Sequence, residues 1–360
     1  MADLNSVQSG SDTLGAGAAS KTVTISSVDT SKTFIVVSCS PDTDRPERGQ
    51  ISWELTDATT ITIFRNASAG GAITFQWYAS EFSSGVVVQR GTQVMDATTE
   101  NVTISSVTLN KSFVLSSADQ GGGAYSADDF TKSRLTTSTN LELTMDVAGN
   151  ASTLLKWQVI EFTGASVQTG EVAFTTADSS KTATITSIDT GKSLLIHTQK
   201  SADGTFANIG QKMIRGVITN STTLTFDRDN TGQTMDLTWF LVEFTDGTIV
   251  QHASEAFTSG QTQKDVTISA VVLANSIALA GGMYHRGGKT PYSANDNTSV
   301  GSVECDLTTT TNLQLTRSST GSVTCDIGWF VVEFNAAAPS GVTPYIGYYQ
   351  YVQAGGGIGL

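Results

Sequence analysis

Four glutamates hold the same place in a recurring hexapeptide, W-x-x-x-E-F. They are Glu81, Glu161, Glu243 and Glu333, each four residues after Trp77, Trp157, Trp239 or Trp329. Carboxylates that recur at apolar strand ends raise the prospect of acid–base or metal chemistry. Glycoside hydrolysis, however, needs two carboxylates facing one bond, and no second acid recurs at a fixed offset. A half-buried carboxylate also needs a partner simply to be tolerated. The expected role is therefore structural: each Glu accepts backbone N–H groups or pairs with a lysine at the sandwich end. Lys32, Lys111 and Lys192 are the recurring cations, and Asn275 stands where the fourth would be.

Other chemistry-bearing residues form no set. His197, His252 and His285 lie in different local patterns, which supports neither a zinc site nor a Ser-His-Asp arrangement. Asp227-Arg228-Asp229-Asn230-Thr231-Gly232 has the look of a calcium loop but lacks the bidentate Glu and carries an Arg. A hairpin turn is the expectation there, and Asp42-Thr43-Asp44 is read in the same way. Cys39, Cys305 and Cys325 are too few for a disulfide framework. Cys305 and Cys325 would either bridge across a sheet if oxidised or stay two small buried thiols. Asn66-Ala67-Ser68 and Asn220-Ser221-Thr222 fit the N-glycosylation pattern, which is background in so Ser/Thr-rich a chain.

Two loop sets are candidates for binding. Tyr125, Asp128 and Asp129 follow Gly121-Gly122-Gly123, and Tyr292 and Asp296 follow Gly287-Gly288. Tyr and Asp on Gly-rich loops of a rigid scaffold suit a subunit contact or a glycan, or else the Tyr packs on its own module. The second set is the C-terminal segment, with Tyr345, Tyr348, Tyr349 and Tyr351 in an uncharged, Gly-rich stretch. An aromatic segment without charge needs a covering surface, so docking on another subunit is expected, an added strand being one form. Folding back on its own chain is the alternative.

The elements that position these residues come from self-comparison. The tryptophans are 80, 82 and 90 residues apart. A V-T-I pattern precedes each: Thr22–Val28 (TVTISSV), Asn101–Val107 (NVTISSV), Thr182–Ile188 (TATITSI) and Asp265–Val271 (DVTISAV). A V-Q-x-G pattern precedes that, from Val7, Val88 and Val167, with VQHA from Val250. Four repeats follow, at 1–83, 84–163, 164–245 and 246–335, with a tail at 336–360. The first V-Q-x-G begins at Val7, so little leader is expected. Repeats one and three share S-K-T-x-T-I, while two and four share Y-S-A-[DN]-D and T-N-L-x-L-T. This ABAB order implies two kinds of lateral contact. A ring of n chains would then match a 2n-fold ring, a trimer with pseudo-sixfold symmetry being one case.

The segments are short, β-branched and alternating, with turns at Ala69, Asp203, Thr231, Asp246 and Thr320. WFVVEF is apolar on both faces, as a strand covered on both sides would be. Each repeat is predicted to be an antiparallel β-sandwich of six or seven strands, so the fold class is all-β with four tandem sandwiches.

The order of a short first strand, a V-T-I strand, a K-[ST]-[FL] strand (Lys32-Thr33-Phe34, Lys111-Ser112-Phe113, Lys192-Ser193-Leu194), a T-x-[IL]-T strand and a closing Trp strand resembles H-type-lectin-like β-sandwich modules. Such modules recur in bacteriophage virion proteins, especially tail and appendage proteins. The resemblance implies a virion location and other virion proteins or copies of the same chain as partners. No set of glycan-binding residues of that family can be matched here.

Composition narrows the function classes. Only 15% of residues are charged, and 33 acids against 20 bases give a net charge of -13. That argues against nucleic acid as a partner, since phosphate contacts need clustered Lys and Arg. It argues equally against a polybasic membrane anchor. No stretch approaches the roughly 18 apolar residues of a membrane span, and the N-terminus has no signal-peptide pattern. Low charge fits repeats whose surfaces are covered by neighbours. The expected function is a non-enzymatic, homo-oligomeric structural protein of a bacteriophage virion (tail, baseplate or capsid surface), without cofactor or metal. A carbohydrate-binding adhesin for a host surface glycan is the alternative.

Overall fold

A computed structural model describes residues 1–67, 70–119, 122–149, 153–202, 208–281, 288–294 and 296–336. The chain is all-β and antiparallel, as expected. Its first unit has strands β1 (Asp3–Leu14), β2 (Ser20–Thr24), β3 (Thr33–Pro41), β4 (Ser52–Asp57), β5 (Thr60–Phe64) and β6 (Ile73–Ser84). They form two three-stranded sheets, β1-β6-β3 and β2-β5-β4. The Trp strand is thus central in its sheet, which explains why its sequence is apolar on both faces.

The same six-strand pattern returns three times. The second unit has β7 (Val86–Val94), β8 (Thr99–Thr103), β9 (Ser112–Ala118), β10 (Lys132–Thr137), β11 (Asn140–Thr144) and β12 (Leu154–Phe162). The third has β13 (Ala165–Phe174), β14 (Ser180–Thr184), β15 (Ser193–Ser201), β16 (Arg215–Asn220), β17 (Thr223–Asp227) and β18 (Met235–Phe244). The fourth has β19 (Ile249–Phe257), β20 (Gln263–Thr267), β21 (Ser276–Ala280), the two-residue β22 (Gly288–Lys289), β23 (Glu304–Thr309), β24 (Asn312–Thr316) and β25 (Cys325–Glu333). Their sheets are β7-β12-β9 with β10-β11-β8, β13-β18-β15 with β14-β17-β16, and β19-β25-β21 with β20-β24-β23. Gly232 and Gly247 have φ of +119° and +100°, so those two expected turns use a conformation that favours glycine. The turns expected at Ala69 and Asp203 fall outside the described residues.

The units close on one another. Phe34, Phe82, Phe162, Phe244 and Phe334, drawn from all four, form one aromatic cluster with centroid separations of 5.2–6.4 Å. Above it, Val36, Leu115, Ile196 and Leu279 from β3, β9, β15 and β21 meet around a common axis. That is why β3 is buried along its whole length. The space left on this axis is small, about 10 Å³ among the phenylalanines and about 30 Å³ beside His197. The axis is therefore a packed core, with room for a water molecule or two. The expected neighbours that cover these surfaces are, among the described residues, sister units of the same chain, which cover β3, β9, β15 and β21.

One hydrogen bond marks the closure. The amide of Trp53 on β4 donates to Ser117 Oγ in the next unit at 3.1 Å, that of Ser133 on β10 to Thr198 Oγ1 at 2.9 Å, and that of Cys305 on β23 to Ser38 Oγ at 2.9 Å. The last joins the fourth unit back to the first. At the seam between units three and four the hydroxyl position is Gly281, whose carbonyl accepts from the His197 amide at 3.1 Å instead.

Candidate functional site

The recurring residues converge on one end of each sandwich, where they bind backbone. Oε1 of Glu81, Glu161, Glu243 and Glu333 accepts the amide of Asp29, Thr108, Asp189 and Val272, at 2.7, 3.1, 2.7 and 3.1 Å. The carbonyls of those same four residues accept from Thr33, Ser112, Ser193 and Ser276. Each K-[ST]-[FL] hydroxyl and each Glu thus hold the two sides of one residue, which orders the turn into β3 and its counterparts. The lysines do not pair with these glutamates. Lys32 and Lys192 bind Asp29 and Asp189, and Lys111 donates to the carbonyls of Thr163 and Ala165.

The V-Q-x-G pattern is explained by the same geometry. Gln8, Gln89, Gln168 and Gln251 each grip one residue of the V-T-I segment by both its amide and its carbonyl, at 2.6–3.0 Å. The glycine lies under the indole: a Cβ at Gly91 or Gly170 would come 2.6 Å from Cζ2 of Trp157 or Trp239. In the fourth unit Ala253 faces Trp329 in register, so the pattern is relaxed there.

The seams carry most of the remaining charge chemistry. Between units two and three, Lys132 is buried and binds Glu171 at 2.9 Å and Asp236 at 2.5 Å, while Arg134 binds Glu171 and Glu142. Between three and four, Arg215 holds Asp227 with two hydrogen bonds, and Lys289 reaches Asp227 at 2.8 Å, Asp229 at 3.3 Å and Asp326 at 3.7 Å. The carboxylates of the calcium-like loop therefore face a lysine and an arginine of the protein itself. Burial pulls Lys289 down, but bonding to Asp227 and the charge of Asp229 hold it above the ordinary lysine range. Between one and two, Lys156 binds Glu54 at 2.9 Å and Gln158 bonds both the amide and the carbonyl of Ile35. Arg90 donates to the carbonyls of Thr30 and Thr33 and is pushed down to about 10 by burial.

Three buried arginines organise the opposite end. Arg65, Arg228 and Arg317 follow β5, β17 and β24, and each donates to three or four loop carbonyls. The recurrence of Arg directly after the T-x-[IL]-T strand was the sequence signal for them, and Met145 interrupts it in the second unit. Arg228 is thus the pin of its loop. Lys212, buried near it, is pushed down to about 6 by burial, with the charge of Asp129 opposing.

The loop tyrosines do not form an exposed binding set. Tyr125 is buried against Phe130, with ring centroids 5.6 Å apart. Asp129 is buried in a capping box with Ser126, and Asp128 also accepts from Ser126. Tyr292 is half-buried against the core and Asp296 is half-buried. The local-packing alternative describes Tyr125. Tyr345, Tyr348, Tyr349 and Tyr351 lie outside the described residues, as does His285.

His197 is fully buried on the axis, edge-on to Phe226, and neither ring nitrogen has a hydrogen-bond partner of sound geometry. Burial pushes it down to about 4. His252 stacks on Phe330 instead. The three cysteines are buried free thiols, and Cys305 and Cys325 belong to different sheets. Among the described residues no three His, Cys, Asp or Glu side chains are grouped to hold a metal ion, and no helix is long and apolar enough to cross a membrane.

Among the described residues an open groove of about 240 Å³ lies at the seam of units one and two, and a wider one of about 420 Å³, lined by Asp146, Phe174, Lys200 and Asp236, lies at the seam of units two and three. The first carries the two indole rings. Trp53, Glu54, Arg90, Lys156, Trp157 and Gln158 line it. At the residue after the motif tryptophan the other units have Tyr78, Phe240 and Phe330, whereas this one has Gln158. The sequence matches no protein-family model and no curated protein.

Proposed function

We propose that this chain is a non-enzymatic structural protein of a bacteriophage virion, a component of the tail, baseplate or capsid surface. The observation that carries the reading is the role of its recurring polar residues. The four Glu, the four Gln and the Ser/Thr of the K-[ST]-[FL] strand and its fourth-unit counterpart all bond backbone, so what the repeat preserves is architecture. The resemblance to H-type-lectin-like modules supports a virion setting, and the uncharged tail serves as the assembly contact. Purified particles test this: the chain should co-purify at fixed stoichiometry, and its absence from them overturns the proposal.

The groove beside Trp53 and Trp157 favours a second reading, a carbohydrate-binding adhesin. It combines indole rings with Glu54, Lys156 and Arg90, the mix of apolar face and polar rim that small-ligand sites use. Glycan-array binding that falls with Glu54→Gln would support it, and silence across a broad array would remove it.

A further inference from the structure

Six of the seven large hydrophobic side chains exposed among the described residues lie on one end of the ring, the end of the phenylalanine cluster. They are Met1, Val87, Leu109, Ile249, Val272 and Leu273; only Val147 lies elsewhere. Apart from Met1 at the N-terminus, all belong to units two and four. Val87, Ile249 and Val272 expose about half their surface, at 52%, 53% and 53%.

The repeat fixes these positions. Val87 and Ile249 pair with Glu161 and Glu333, where units one and three place Ser6 and Ser166 opposite Glu81 and Glu243. The amide held by the Glu belongs to Val272 in unit four but to Asp29 and Asp189 in units one and three. The next residue is Leu109 or Leu273 in the even units, and Thr30 or Thr190 in the odd ones. Polar and apolar ends therefore alternate around the ring, and the two apolar patches face each other across the axis. Asp29 and Asp189 at this end are paired with Lys32 and Lys192. The chain leaves from the same end: Ala336 bridges to Leu4. Residues 337–360 then hold four tyrosines and no charged side chain.

We propose that this end of the ring is a contact with a second copy of the chain, two rings meeting face to face with their uncharged tails enclosed between them. The proposal rests on the reading of the chain as an assembly protein. Two patches related by a pseudo-twofold suit an isologous contact, in which the same surface serves both partners. The chain's own tail is a poorer occupant, since one tail faces two patches on opposite sides of the axis. Five side chains alone expose too little, because a stable interface buries about 1,000 Å² or more. The two tails supply the missing apolar area.

Sedimentation velocity on the full chain tests this, with Val87→Glu/Val272→Glu and a chain ending at Ala336. The wild type should be a dimer at micromolar concentration, tighter in 0.5 M than in 0.05 M salt, because each copy carries a charge of -13. The double variant should weaken association at least tenfold while its circular dichroism stays that of the folded wild type, since both side chains are exposed. Tail removal should weaken it as well. A wild type that stays monomeric at 100 µM or above overturns the proposal, and so does a dimer indifferent to the double variant. A monomer whose tail becomes protease-sensitive only in the variant would identify the chain's own tail as the occupant, and also overturns it. A dimer that is absent from particles would leave this contact standing and remove the virion reading.

Discussion

Gln168 holds Thr186 by both sides of its backbone: Oε1 accepts the Thr186 amide at 2.8 Å and Nε2 donates to its carbonyl at 2.9 Å. The bonds clamp one sheet of the sandwich to the other across 18 residues of sequence. Gln168→Ala should destabilise the chain by about 2 kcal/mol, two hydrogen bonds at about 1 kcal/mol each. Urea denaturation checks this. Gln168→Glu should recover only part of the loss, because a carboxylate cannot donate to the carbonyl.

Gly170 sits beneath Trp239 with no room for a methyl group. Gly170→Ala should cost about 1–3 kcal/mol by overpacking. Ala253→Gly, at the matching place in the fourth unit, should change stability by about 1 kcal/mol or less. Equal losses at both sites would contradict the packing account.

His197 makes stability depend on pH. Its folded pKa, about 4, lies below its unfolded value, so the unfolded chain binds the proton more readily. The neutral ring's contribution is complete above pH 6.5 and is lost as pH falls toward 4. The difference amounts to roughly 3 kcal/mol. Glu304 and Asp119 work in the opposite sense, because burial raises both and their cost is relieved by protonation. Comparing wild type with His197→Gln at pH 7 and pH 4.5 isolates the histidine: the variant should show the flatter profile.

Lys289 neutralises Asp227, Asp229 and Asp326 at one seam. Lys289→Met should destabilise the chain by about 2 kcal/mol, by leaving half-buried carboxylates short of a cation. Calcium at 1 mM should leave the melting temperature of the wild type unchanged, since a lysine already occupies the position between the carboxylates.

The thiols should be silent in the folded chain. Cys39, Cys305 and Cys325 are buried, and burial pushes Cys325 up to about 12 and Cys305 higher still. A thiol reagent at pH 8 should therefore label none before unfolding and three after it.

The strand pattern was legible because each motif is a local requirement. V-Q-x-G needs its Gln for a clamp and its Gly for the indole, and both recur where the geometry recurs. The Glu was legible as a backbone acceptor for the same reason. Ring closure was not, because no local rule says which surface will cover an apolar strand. Phe34-Ile35-Val36-Val37 is apolar on both faces, which calls for two covering layers without naming them. Low charge calls for covering neighbours without saying whether they are other subunits or sister units, and much of the covered surface lies between sister units. Tyr125 left two readings open for a related reason: a Gly-rich loop suits either exposure or local packing, and Phe130, five residues on, gives its ring a place to bury.

Closure also sets a schedule for synthesis. The bond from Cys305 to Ser38 Oγ spans 267 residues. At about 5–20 residues per second, roughly 15 to 50 s separate the emergence of one partner from the other. Through that interval the finished first unit waits with the part of β3 that meets the fourth unit, Ser38 among it, uncovered. A chain built this way must either keep that strand from pairing with the wrong partner or have it shielded until its own last unit arrives.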